Sequence, residues 1–321
     1  MPCSEHELLA CPRCAGELRR LRCGSCGEQY AAPGGIPDLR LPADARTEAV
    51  REFYARAPFP GYPPRDSLQA LRARAQRSEF ARGLDQAIPG DANVLEIGCG
   101  TGQLCLFLAS ADRCVVGADL ARPSLELARD AAARYRVQNV LFVETDLRRP
   151  GLRRGAFDVV ICSGVLHHTP DPRVSFAAVP PLARPGGVVA IGVYNAYARL
   201  PLRLRRCLAR LTGFRWIPWD PILHDRRSEP ERREAWLRDQ YQHVEEHRHT
   251  LREVQQWFRE NGVEYLRALP SALFAEEETD LFAQSADDWG LEGLIAQLAW
   301  MRTLGREGGL FVAVGSRILA N

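Results

Sequence analysis

Residues 94–104 of the chain read VLEIGCGTGQL. The stretch begins as an apolar strand, continues into a turn with three glycines and ends with the apolar periodicity of a helix. Gly98, Gly100 and Gly102 let the backbone turn tightly and approach a ligand closely at the carboxyl end of the strand, which is where open α/β sheets bind their ligands. The stretch therefore predicts a ligand site at the first strand of a doubly wound sheet.

Two acidic residues near this turn indicate which ligand is bound. Asp119 ends a second apolar strand, 114–118, where a carboxylate accepts hydrogen bonds from ribose hydroxyls. Glu96 places another carboxylate beside the turn, which is unfavourable next to a pyrophosphate but favourable next to the amino group of S-adenosylmethionine (SAM). The pair favours SAM over a dinucleotide.

Further apolar segments complete the strand pattern. They are 140–143, 157–162, 188–193, 263–269 and 310–314. Together with the first two, they predict an α/β fold with a doubly wound, seven-stranded and mostly parallel sheet. About 70 residues separate the fifth and sixth strands, so we expect a helical insertion there.

The order of these motifs resembles that of class I, Rossmann-like, SAM-dependent methyltransferases. The glycine-rich turn, Asp119, Asp146, FDVVICSGVLHH at 157–168 and LARPGG at 182–187 follow one another as in that family. The resemblance implies that Asp146 binds the adenine amino group. The SAM-binding residues that it implies are Glu96, Gly98, Gly100, Gly102, Asp119, Leu120, Asp146, Leu147 and Ser163.

Four cysteines near the N-terminus form two C-x-x-C pairs, Cys11 with Cys14 and Cys23 with Cys26. This spacing is typical of a tetrahedral Zn²⁺ site, and four thiolates leave no open coordination position, so the zinc is expected to be structural. A redox pair or free thiols is the alternative. Residues 8–39 resemble the small zinc-ribbon proteins that activate methyltransferases, which implies a docking or stabilising module.

The remaining cysteines are scattered. We interpret Cys105, Cys114, Cys162 and Cys207 as buried apolar side chains and leave Cys3 unassigned.

The predicted domain organisation follows from these motifs. Residues 1–42 are the zinc ribbon, 43–90 are an aromatic and proline-rich linker with a lead-in helix, and 91–321 are the methyltransferase domain, with its insertion at about 195–260. The aromatic residues of the linker either cover the substrate or pack the linker onto the core.

Histidines supply the candidate general bases. His167 and His168 follow the fourth strand, where this fold presents groups to the methyl donor, and one of them would take a proton from the acceptor. Alternatively, they only shape the pocket. His243 in the insertion is the third candidate.

A basic amphipathic helix is predicted at 200–211, with leucines at helical spacing among arginines. It would face RNA, an anionic substrate, a membrane surface or another subunit. The alternative is a solvated arginine face over a packed leucine stripe.

Composition narrows the function classes. The net charge is only +2, and none of the 42 basic residues is lysine, so arginine content alone is no evidence for nucleic acid. The apolar runs are too short for a membrane span, and we expect a cytoplasmic protein.

Three functions fit the sequence. The first is methyl transfer to oxygen or carbon of a small molecule. The second is methylation of tRNA or rRNA through the ribbon and the insertion. The third is a binding protein without turnover. Association into a homo-oligomer stays open.

Overall fold

A seven-stranded sheet forms the centre of the molecule. The structure is a computed structural model that describes residues 3–56, 58, 66–109, 112–215, 217, 220, 223, 233, 236–237, 240–241, 246–272, 280–285, 291–303 and 309–319. The strands are β1 Leu18–Arg19, β2 Arg22–Cys23, β3 Asn93–Ile97, β4 Cys114–Asp119, β5 Val140–Glu144, β6 Phe157–Ser163, β7 Ala183–Tyr194, β8 Val263–Leu269 and β9 Leu310–Arg317.

The helices within the described residues flank this sheet. They are α1 Glu5–Leu8, α2 Ala45–Arg56, α3 Leu68–Ala75, α4 Glu79–Ala87, α5 Gln103–Leu108, α6 Arg122–Tyr135, α7 Pro172–Phe176, α8 Leu200–Leu211, α9 Leu251–Glu260 and α10 Leu291–Thr303. Neighbouring residues of β3 enter different apolar clusters, Val94 with α5 and α6 and Leu95 with α9. Because successive strand residues point to opposite faces, both faces of the sheet are covered.

The strand order confirms the predicted doubly wound sheet. The order is β5-β4-β3-β6-β7-β9-β8, and β5 through β7 are parallel. Strand β9 runs antiparallel to both of its neighbours, β7 and β8. Strands β4 and β5 follow on one side of β3, and β6 and β7 follow on the other, so the direction of the strand order changes between β3 and β6. The crevice at the carboxyl ends of these two strands is where such sheets bind ligands.

The N-terminal segment pairs with the sheet and its loops. Leu39 donates its backbone N–H to the carbonyl of Glu144 at 2.8 Å, and Glu144 donates to the carbonyl of Pro37 at 2.9 Å. Ala10 donates to Gly151 at 3.1 Å. The segment thus covers β5, the edge strand, whose free backbone groups would otherwise be exposed.

Two helices occupy the stretch 67–84, where the apolar spacing predicts one. Helix α3 ends at Ala75, and Ser78 caps α4 by accepting a hydrogen bond from the N–H of Ala81. A serine at this position offers the backbone an alternative to continued helix, which explains the break.

The cysteine interpretation is wrong for two positions. Cys114 is disulfide-bonded to Cys3 across 111 residues of sequence, and Cys207 is exposed on α8. Cys105 and Cys162 are buried, as expected.

No helix among the described residues is both long enough and apolar enough to cross a bilayer.

Candidate active site

A cavity of about 370 Å³ opens at the carboxyl ends of β3, β4 and β6. Most of the predicted SAM-binding residues line it. These are Glu96, Gly98, Gly100, Asp119, Leu120, Asp146, Leu147 and Ser163. Gly102 is not among the lining residues, and it begins α5 immediately behind the turn.

The glycine-rich turn depends on the absence of a side chain at Gly98. Its φ is +74°, and a Cβ there would lie 2.0 Å from Cγ2 of Val165. The backbone N–H of Gly98 donates to the carbonyl of Ala118, which holds the turn against β4. Only glycine fits here, so the turn can lie directly against the floor of the cavity.

Asp119 joins the end of β4 to the turn. One carboxylate oxygen accepts the N–H of Gly100 and the other accepts the N–H of Ala121, both at 2.8 Å. Burial raises the pKa of this carboxyl, and these backbone donors act in the opposite direction. The carboxylate is therefore held in a fixed position at the cavity wall, where it can accept further hydrogen bonds from hydroxyl groups.

Glu96 carries a carboxyl group whose charge is sensitive to pH near neutrality. Burial raises its pKa to about 7, and the negative charge of Asp119 adds to the rise. The thiol of Cys105 donates to Oε2 at 2.8 Å and partly offsets both effects. A cationic ligand group beside Glu96 would favour the ionised carboxylate.

The loop after β5 is tied to helix α2. Asp146 accepts the N–H of Arg148 at 2.9 Å, and the guanidinium of Arg148 contacts Asp44 at 2.7 Å and the hydroxyl of Thr47 at 2.6 Å. Thr47 lies on α2 and lines the cavity. Helix α2 is therefore one wall of the site.

Thr47, Val50 and Arg148 all line the cavity, and no motif in the sequence distinguishes them as site residues. The aromatic and proline-rich linker was the sequence feature that pointed to this wall, because Tyr54 near the end of α2 also lines the cavity. Phe59 and the prolines at 60, 63 and 64 lie outside the described residues.

The two histidines after β6 face different surroundings. His168 lines the cavity, and its ring lies 6.3 Å from that of Tyr54. His167 is buried, and its ring lies 3.7 Å from the ring of Tyr194 at the end of β7. His167 is not among the cavity-lining residues, and His243 lies outside the described residues.

Arginines from α8 and its approach point into the protein beside this site. The guanidinium of Arg199 lies 3.5 Å from the ring centroid of Tyr194 and 2.7 Å from the carboxylate of Glu246. Arg206 contacts the same carboxylate at 2.5 Å. Backbone N–H of His247 donates to the carbonyl of His167 at 2.8 Å, which fastens this arginine cluster to the turn that carries His168.

The four N-terminal thiols converge as a metal site requires. The sulfur atoms of Cys11, Cys14, Cys23 and Cys26 all lie within 4.8 Å of one another. The pairs Cys11–Cys26 and Cys14–Cys23 are 3.7 and 3.5 Å apart. Tetrahedral Zn–S bonds of about 2.3 Å place sulfurs roughly 3.8 Å apart, so the four thiols fit Zn²⁺. The hydroxyl of Tyr30 lies 3.0 Å from the sulfur of Cys11, where it can orient that ligand.

Comparison with known proteins places the central sheet in a family. Residues 94–187 match the family described as methyltransferase domain. The chain is 32% identical over 159 residues to an uncharacterized methyltransferase of Mycobacterium bovis. The matched region is 45% of this chain and 79% of that protein.

Two other relatives differ in extent. An uncharacterized protein of Synechococcus is 28% identical over 295 residues, which is 79% of this chain and 69% of that protein. The ubiquinone biosynthesis O-methyltransferase of Bordetella avium is 32% identical over 139 residues, or 41% of this chain. This chain spans only about half of that enzyme, 55% of its length.

The strand order, the glycine-rich turn at the reversal of the sheet and these matches agree with one another. The chain belongs to the class I SAM-dependent methyltransferases.

Proposed function

We propose that this enzyme transfers the methyl group of SAM to an oxygen or carbon atom of a small-molecule acceptor. The observation that carries the proposal is the position of His168, which lines the same cavity as Glu96 and Asp119 and is faced there by Tyr54. The site thus combines the proposed SAM-binding residues with an aromatic and a histidine side chain in one cavity. The relative named as a ubiquinone biosynthesis O-methyltransferase supports an acceptor of this class.

Each wall of the cavity has a proposed role in holding SAM. Glu96 pairs with the amino group of the methionine part, and Asp119 accepts hydrogen bonds from the ribose hydroxyls. Asp146 binds the adenine amino group, while Leu120 and Leu147 contact the adenine ring. The backbone of Gly98 and Gly100 and the hydroxyl of Ser163 complete the contacts around the methionine part.

The reaction needs alignment and, for a hydroxyl acceptor, removal of a proton. SAM supplies an electron-poor methyl group, and the acceptor atom must approach it in line. We assign His168 as the general base, because it reaches the cavity. His167 does not line the cavity, and its proposed role is to fix the turn through its ring contact with Tyr194.

An RNA acceptor has less support from the arrangement of the insertion. A continuous basic surface leading to the cofactor would capture phosphates. Instead, Arg199 and Arg206 are committed to Glu246 inside the protein, and Arg205 lies 3.9 Å from the buried carboxylate of Asp220. These three guanidinium groups face carboxylates inside the protein, so they do not contribute to a basic surface that an RNA backbone could contact. Arg203 and Arg210 remain exposed on α8.

We also propose that Cys11, Cys14, Cys23 and Cys26 hold a structural Zn²⁺. The sulfur distances given above support this assignment. Metal analysis of the purified protein by mass spectrometry tests it, with one zinc per chain as the expected result.

The acceptor class is tested by incubating the enzyme with methyl-labelled SAM and a fractionated extract of its source. We expect the label in the small organic fraction, resistant to nuclease. Label confined to nuclease-sensitive material would replace the small-molecule acceptor with RNA. A parallel incubation with the His168→Asn variant identifies the label that depends on this site.

A further inference from the structure

Helix α8 exposes three of its leucines and turns two of its arginines, Arg205 and Arg206, inward. Leu202 is buried, and Arg203 and Arg210 are exposed. Leu200, Leu204 and Leu211 are 43%, 64% and 84% exposed, whereas Arg199, the residue immediately before the helix, is 1% exposed. Residues separated by three, four, seven or eleven positions lie on one face of a helix, so the three leucines form a single stripe. The exposed face of the helix therefore combines leucines with Arg203 and Arg210, and is not only a solvated arginine face over a packed leucine stripe.

Ion pairs fix the helix in this orientation. Arg206 and Arg199 share the carboxylate of Glu246, and Arg205 faces Asp220. Rotating the helix to bury the leucines would move these guanidinium groups away from their partners and leave the buried carboxylate of Asp220 without its cation. The exposed stripe is therefore a stable feature of the fold.

A second apolar stripe lies on a neighbouring helix. Leu294, Ile295 and Leu298 of α10 are 40%, 45% and 37% exposed. The two helices approach each other where Pro201 of α8 and Met301 of α10 border the same small hollow. Exposed leucines on adjoining elements are typical of a surface that docks onto something apolar.

Charge identifies the kind of partner. Residues 196–219 contain six arginines and neither aspartate nor glutamate. Two of these arginines, Arg203 and Arg210, are exposed on α8 beside the leucine stripe. A second copy of the chain docking by two-fold symmetry would bring these like charges together. An anionic lipid surface would attract them, and their long side chains can reach phosphate groups while the leucines enter the acyl region.

We propose that the face of α8 formed by Leu200, Arg203, Leu204, Arg210 and Leu211 docks onto anionic lipid membranes. The helix begins six residues after the end of β7. Tyr194, the last residue of that strand, lies 5.7 Å from the ring of His168, ring centroid to ring centroid. Docking would place the methyl-transfer cavity close to the lipid surface. The proposal concerns a surface and does not depend on the identity of the acceptor.

Vesicle sedimentation tests the proposal with the full-length protein. We expect binding to vesicles of phosphatidylcholine mixed with phosphatidylglycerol, and much weaker binding to phosphatidylcholine alone. Leu204→Glu and Leu211→Glu should each reduce the partition coefficient by at least roughly tenfold. The double variant Arg203→Gln/Arg210→Gln should reduce it about 30-fold at low salt, since each basic residue near an anionic surface contributes to attraction.

Leu127→Glu is the matched control, because Leu127 is 41% exposed on α6, outside the proposed face. Its binding should equal that of the unaltered chain. Circular dichroism and SAM titration verify that each variant is folded. Equal losses in the control and test variants, or binding unaffected by lipid charge, would overturn the proposal. So would a dimer in sedimentation velocity that Leu204→Glu dissociates, if vesicle binding is absent.

Discussion

Glu96 is predicted to make the binding of SAM dependent on pH near neutrality. Its pKa in the ligand-free protein is raised to about 7, chiefly by burial. Only the ionised carboxylate pairs with an ammonium group, and the carboxyl becomes protonated as the pH falls through 7. We therefore predict that SAM affinity falls by about tenfold between pH 8 and pH 6, because the ionised fraction of the carboxyl falls by that factor.

Calorimetric titration between pH 6 and pH 8.5 measures this dependence. The Glu96→Gln variant provides the control, since its amide cannot titrate and its weaker affinity should not change over the same range. An affinity of the unaltered chain that is flat from pH 6 to 8.5 would show that Glu96 does not contact the amino group.

His168 is predicted to act on the acceptor and not on SAM. Loss of the general base that deprotonates a hydroxyl acceptor typically lowers the reaction rate by about 10²–10⁴-fold. His168→Asn should therefore reduce label transfer to the acceptor fraction by this factor while leaving the dissociation constant for SAM unchanged. His6→Asn, at an exposed position on α1, should leave both unchanged. Full activity of His168→Asn would leave the histidine as part of the pocket wall only.

For single residues, the sequence predicted which side chains belong to the site better than it predicted where those side chains point. The glycine-rich turn and Asp119 could be placed because strand, turn and acidic residue follow at fixed intervals. Neighbouring histidines could not be distinguished, because a short 3₁₀ turn at Leu166–His168 sends one ring to the cavity and the other toward Tyr194. That direction depends on the contact with β7, which is distant in sequence.

Among the elements, the ribbon is predicted to stabilise the SAM site. The backbone N–H of Leu39 donates to the carbonyl of Glu144. The side chain of Leu39 packs so closely on Gly151 that a Cβ added at Gly151 would lie 2.5 Å from the Cβ of Leu39. These contacts flank Asp146, which we assign to the adenine. Cys11→Ser should therefore lose zinc, lower the melting temperature and weaken SAM binding about tenfold, a loss of roughly 1–2 kcal/mol.

The matched control for the ribbon is Cys207→Ser, which alters an exposed cysteine on α8. It should retain zinc, thermal stability and SAM affinity. If Cys11→Ser loses its zinc and still binds SAM with the affinity of the unaltered chain, then the contacts between the ribbon and the loop after β5 do not support the cofactor site.

The sequence predicted the strands well and the orientation of helices poorly. All seven strands of the main sheet lie where the apolar runs predict them. Helix α8 also spans the predicted 200–211, yet leucines and arginines at helical spacing fit either face turned inward. The carboxylates of Glu246 and Asp220 decide the orientation, and neither belongs to the helix or to its leucine and arginine pattern.

Over the whole molecule, the N-terminal segment and the sheet act as one assembly. Ribbon residues such as Leu9 and Leu18 belong to the same apolar cluster as residues of β3 and β6. The Cys3–Cys114 disulfide adds a covalent link between the N-terminus and β4. Such long-range pairing cannot be read from the spacing of cysteines. The sequence therefore indicated a docking or stabilising module without indicating that it covers an edge of the sheet.

We propose that the cavity at the carboxyl ends of β3, β4 and β6 binds SAM through Asp119. Calorimetric titration of SAM into the unaltered chain and into Asp119→Ala tests it most directly. We predict saturable binding by the unaltered chain and a loss of about 1–3 kcal/mol in the variant, which corresponds to roughly 5- to 150-fold weaker affinity. Equal SAM affinity of the two proteins would contradict the assignment of this cavity as the SAM site.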